Sequence, residues 1–184
     1  MTGTGGTSSG PVSPSSGLIA LGVLERAQGL RGRLILRLEL VGGARPLPEG
    51  LGVTVGDRPF RIASCSLRDT RRVLIELEGV RSREAAEDLA GRRVLADRAD
   101  VSPPGFAAVP LDLLRHLTLV DRALGPLRTV DLEGAGDANP LLIVEGGGKR
   151  FPVPVCMVLA RAEIDWSGME ARLELPEGLT DLDP

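Results

Sequence analysis

Side chains able to do covalent or metal chemistry are few in this sequence, and they are scattered. The one histidine, His116, stands between Arg115 and Leu117 at the head of an apolar run, where a lone imidazole serves as a surface or structural residue. Cys65 and Cys156 lie far apart, a spacing that suits neither a zinc site nor a disulfide framework. Both are flanked by apolar or small residues and are expected as buried small hydrophobes in a reducing compartment. The glycine cluster Gly146, Gly147 and Gly148, followed by Lys149, lacks the spacing of a phosphate-binding loop and reads as a hairpin turn. Acidic residues such as Asp137, Glu163 and Asp165 form no specific pair, and charged turns account for them. The chain is therefore read as non-catalytic, with no catalytic residue, metal or cofactor expected.

A different chemistry is concentrated in residues 22–33. Arg26, Arg31 and Arg33 cluster with Gln28 in a segment where Gly29 and Gly32 let the backbone turn tightly. Guanidinium groups held on such a turn suit phosphate oxygens. A hairpin or barrel-closing turn with solvated arginines fits the composition equally well. With three Phe, one Trp and no Tyr, base stacking is disfavoured, so any RNA contact rests on arginine, phosphate and shape.

The elements that hold these residues are short strands. Gly (24) and Pro (14) punctuate apolar runs throughout, the rhythm of barrels or sandwiches. Residues 33–40 are the clearest strand, with Leu34, Leu36, Leu38 and Leu40 alternating against Arg33, Arg37 and Glu39; only Ile35 breaks the pattern. Residues 72–78 repeat it through Val73, Ile75 and Leu77, and residues 18–23, 52–55 and 60–66 are further strands. One short helix follows: Ser82 caps it, Glu84 favours its first turn, Gly91 ends it, and Ala85, Ala86, Leu89 and Ala90 share a face. After a stiff stretch with Pro103, Pro104, Gly105 and Pro110, a helical turn is expected at residues 112–115. Strands are then expected at residues 117–120, 127–132, 141–144, 149–153, 157–164 and 169–175.

The organisation expected is all-β: two small barrels in series, with one short helix in the N-terminal half. Residues 1–16, uncharged and rich in Gly, Ser, Thr and Pro, read as a disordered tail without the features of a secretory signal. The first barrel is placed at residues 17–100, a linker at 101–110 and the second barrel at 111–184. No run approaches the roughly 18 apolar residues that span a bilayer, and a cytoplasmic, monomeric protein is expected. Charge divides between the halves: fifteen basic against twelve acidic residues up to position 100, and seven against thirteen beyond it. That division suits two domains facing different partners, though simple solvated surfaces produce it too.

In this setting residues 22–33 resemble the glycine-basic motif near the start of the ribosome maturation factor RimM family. Residues 77–91, from Leu77 through Gly79, Val80, Arg83, Glu84, Ala86 and Leu89 to Gly91, resemble the family's helix signature. Asp112, Leu113 and Leu114 are similar to its entry into the second domain. Gly125 to Asp131 as a segment, Phe151 with Pro152, and Pro176, Gly178 and Leu179 with Asp181 are similar to its later strands and C-terminal motif. The matches keep their order over about residues 18–182.

The resemblance implies a translation-factor-like six-stranded barrel followed by a barrel of the photosynthetic-reaction-centre type. It implies binding to a head protein of the small ribosomal subunit, promotion of ribosomal RNA folding and processing, and no cofactor. Arg26, Gln28, Arg31 and Arg33 become the RNA-binding candidates. Three departures qualify the carry-over. Ala27 and Gln28 stand where the family usually has Pro and His, and Arg33 where it has an acid. The aromatic pair common before the entry segment is replaced by Ala108 and Val109, and Arg115 replaces a glycine. Phe106, Ala108, Val109, Asp112 and Leu113 are accordingly the partner-binding candidates. Without the resemblance, a small-ligand or regulatory module on the same architecture remains open.

Overall fold

The computed structural model describes residues 17–135, 137–176 and 178–179; the tail read at residues 1–16 lies outside them. Six strands close a barrel in the order β1-β2-β5-β4-β3-β6. They are β1 (Leu18–Gln28), β2 (Arg33–Leu38), β3 (Gly52–Val55), β4 (Arg58–Leu67), β5 (Arg72–Leu77) and β6 (Arg93–Asp97). Alternation builds the interior: Leu34, Leu36, Val73, Ile75 and Leu77 point into one apolar cluster. Ile35, which broke the alternation, is buried as well, but outside that cluster.

Helix α1 (Arg83–Glu87) packs on the barrel against β1 and β2. Its cap is the expected one: the Ala85 N–H donates to Ser82 Oγ at 3.2 Å, which satisfies one of the open donors of the first turn. Ala86 and Leu89 are fully buried beneath it. A second short helix, α2 (Arg98–Val101), follows β6; Asp97 caps it by accepting the Ala99 N–H at 2.9 Å. The N-terminal half therefore carries two helical turns where one was expected.

The second half opens with α3 (Leu111–Leu114), the expected helical turn. Its strands are β7 (Thr118–Asp121), β8 (Gly125–Glu133), β9 (Leu141–Gly146), β10 (Lys149–Pro154), β11 (Glu163–Asp165) and β12 (Glu170–Leu173). They form one sheet ordered β10-β9-β8-β7-β12-β11, with β12 parallel to β7. Gly147 and Gly148, both with positive φ, make the two-residue turn that pairs Lys149 with Gly146.

One expected strand is a helix. Residues 155–161 form α4 (Val155–Arg161), and only residues 163–165 of the run are extended. Pro154 cannot donate to a ladder but suits a helix start, and Val155 and Val158 bury one helical face. The same face turns Cys156 outward, so Cys156 is exposed and Cys65 only half-buried, against the expectation of two buried thiols. By connecting β10 to β11, α4 spans the gap between the edge strands and packs on β10 and β12.

The halves join through main-chain hydrogen bonds. Leu40 forms an antiparallel bridge with Pro110, the Val41 N–H donates to the Val109 carbonyl, and the Leu111 N–H donates to the Glu39 carbonyl. Buried side chains of both halves belong to a single apolar cluster.

Candidate nucleic-acid and partner interface

Every basic residue of the first hundred is an arginine, and two groups of them differ in their surroundings. On one face of the barrel three arginines alternate with three acids. Arg72 pairs with Asp69 and Glu25, Arg37 with Glu25 and Glu39, and Arg93 with Glu39, at 2.9–3.5 Å. This ladder neutralises itself. Its exposed pairs contribute little to stability individually, and it leaves little net charge for a partner.

The second group gathers at the β1–β2 turn. Arg26 and Arg31 are exposed, and neither has a carboxylate within ion-pairing distance among the described residues. The turn is fixed by close approach. Gly32, at φ +78°, lies so near the Val80 carbonyl that a Cβ there would stand 2.5 Å from its oxygen. Arg33 is half-buried beneath the turn, and its Nε is sealed from solvent without a hydrogen-bond partner. That atom cannot meet a ligand in this conformation. Gln28 is engaged as well: its Oε1 accepts from Arg68 Nη1 at 2.6 Å.

Sequence reading did not single out Arg68, which lies 40 positions from Gln28 along the chain. The loop that carries it is pinned by Asp69, whose Oδ1 accepts the Arg71 and Arg72 N–H groups, each at 2.9 Å. The Arg71 N–H is the main cause holding the Asp69 carboxyl below the usual range; desolvation opposes it, and the N–H and guanidinium of Arg72 add to the lowering. Asp69 therefore stays charged and keeps the loop in place.

The partner candidates sit at the junction between the halves, mostly inside it. Phe106, Ala108 and Leu113 are buried in the apolar cluster, and Val109 packs partly against it. Asp112 is half-buried, and its Oδ2 accepts the Ala20 N–H of β1 at 2.8 Å. The Val109 carbonyl is taken by Val41. Nearby, His116 is exposed, and Arg115 reaches Asp131 at 3.4 Å.

Among the described residues no group of three or more His, Cys, Asp or Glu could hold a metal ion, and no helix is long and apolar enough to cross a membrane. A closed barrel with an arginine-bearing turn, followed through a short helical link by a six-stranded sheet that is not closed where a second barrel was expected, defines a β-rich, barrel-bearing protein with a cationic edge. No protein-family model matches the chain. It is 32% identical over 136 residues to the ribosome maturation factor RimM of Rubrobacter xylanophilus, covering 74% of this chain and 82% of that protein. To the ribosome maturation factor RimM of Myxococcus xanthus it is 30% identical over 151 residues, covering 78% of each. The solution structure of the N-terminal domain of RimM from Thermus thermophilus is 29% identical; the match covers 47% of this chain and 95% of that domain, with a TM-score of 0.38. The chain belongs to the ribosome maturation factor RimM family.

Proposed function

We propose that this chain is a non-catalytic, cytoplasmic assembly factor that binds the maturing small ribosomal subunit as a monomer. In this reading the arginines of the β1–β2 turn lie along ribosomal RNA phosphates. The acidic second half faces a basic head protein of the subunit, with Phe106, Ala108, Val109, Asp112 and Leu113 shaping that surface from within the junction. The working division is a first domain to about residue 100, a link to 110 and a second domain beyond it.

The observation that carries the reading is the sorting of the arginines. Those on the β1–β2 turn are left without counter-ions, whereas those on the neighbouring face are neutralised within the fold. Family membership supplies the setting in which an exposed cationic turn meets RNA. Mechanistically, tighter binding to one conformation of the immature subunit shifts the RNA toward it, with no bond made or broken. Depleting the protein from its own cells tests this. Precursors of the small-subunit RNA should accumulate, and a wild-type copy should clear them; an unchanged precursor-to-mature ratio contradicts the reading.

A further inference from the structure

Beside the β1–β2 turn lies a cleft of about 420 Å³, lined by the end of β1, by Arg68 and by α1. Three arginines reach it from separate parts of the chain: Arg26, Arg68 and Arg83. The one acid on its wall, Glu87, accepts from Arg83 Nε at 2.7 Å, which leaves the Nη groups of Arg83 outside that pair. Arg26 and Arg68 have no carboxylate within ion-pairing distance among the described residues. The cleft therefore keeps an excess of positive charge.

How Arg68 is held matters most. Its partner is the neutral amide of Gln28, at 2.6 Å, on a loop already fixed by Asp69. A carboxylate would orient the guanidinium and cancel its charge. An amide oxygen orients it and leaves the full charge with free N–H groups, which is the preorganisation a bound anion needs.

We infer that Arg26, Arg68 and Arg83 form a binding cleft for an RNA phosphodiester, with Gln28 as the residue that positions Arg68. The inference deepens the assembly reading and rests on it for the identity of the RNA. Contact through phosphate makes the cleft indifferent to base sequence, in keeping with the scarcity of aromatic side chains.

The test uses the full chain and a short oligouridylate as probe, read by the Nε–H signals of the arginines in nuclear magnetic resonance spectra. Arg68 and Arg83 should shift on titration while Arg122, an exposed arginine of the second half, stays in place. Arg68→Ala and Arg83→Ala should each reduce the salt slope of oligouridylate binding by about 0.7, the value for one single-strand phosphate contact. Gln28→Glu should weaken binding as far as Arg68→Ala with the fold unchanged. Inorganic phosphate at the same concentration should leave the signals unmoved; equal shifts with it would make this a small-anion site and overturn the RNA assignment. Unmoved Arg68 and Arg83 signals, or equal losses in an Arg122→Ala control, would overturn the cleft. If the protein still bound immature subunits in that event, the assembly reading would survive. Signal shifts without subunit binding would remove the assembly reading and keep the cleft.

Discussion

The Asp112 carboxylate accepts the main-chain N–H of Ala20 at 2.8 Å, tying the first turn of the second half to the first strand of the barrel. That N–H is available because β2 pairs with β1 only from Gly22 onward, so Ala20 has no ladder partner on that side. A carboxylate on a half-buried donor is worth about 1–3 kcal/mol. Asp112→Ala should lower the unfolding free energy by that amount in urea titrations, with Asp112→Asn keeping part of it. An unchanged midpoint would mean that the carboxylate is free to serve a partner instead.

Asp121 is the one buried charged residue among those described, at 4% exposure. Desolvation pushes its carboxyl upward, but the N–H groups of Leu175, Leu124, Ala123 and Arg122 outweigh that and hold it below the usual range. The donors lie 2.8 Å (Leu175), 2.8 Å (Leu124) and 2.9 Å (Ala123) from its oxygens. A depressed carboxyl stabilises the fold above its unfolded value of 3.8 and loses that contribution as pH falls through the lower folded value. The stability gap between the wild type and Asp121→Asn should therefore be constant from neutral pH to about pH 4 and shrink below it. A gap that grew on acidification would contradict this.

The two thiols should react at different rates. Burial pushes Cys65 upward, partly offset by the Leu47 N–H that donates to its Sγ at 3.2 Å, whereas Cys156 is exposed on α4. In the folded protein a maleimide should label Cys156 first and Cys65 only slowly. Equal labelling would show that the strand around Cys65 opens readily.

Gly32→Ala should be costly despite its position in a surface turn. The new Cβ would stand 2.5 Å from the Val80 oxygen at a φ of +78°, a clash with backbone that no side-chain movement relieves. A loss of about 1–3 kcal/mol is expected, together with weaker subunit binding, because the same turn carries Arg31 and Arg33. Retained stability would mean that the turn is free to shift away from Val80.

Much of the architecture was legible because period-two alternation survives in the strands that build the barrel, such as Leu34 to Leu38 and Val73 to Leu77. The α1 cap at Ser82 was legible for the same local reason. Helix α4 was missed because a run as apolar as residues 155–160 fits either period, and the Pro154 that favours a helix start also sits in a strand edge. Two other features lie beyond local reading. The Asp112 contact needs an unpaired strand N–H 92 positions away, and the pairing of Gln28 with Arg68 depends on barrel closure. Neither leaves a signal in neighbouring residues.

Co-sedimentation with immature and mature small ribosomal subunits, at two salt concentrations, tests the central claim most directly. The wild type should pellet preferentially with immature particles and less at the higher salt. The Arg26→Glu, Arg31→Glu double variant should pellet weakly with a flatter salt dependence. Equal association with both particles, a salt-independent association, or none at all from a folded sample would contradict it.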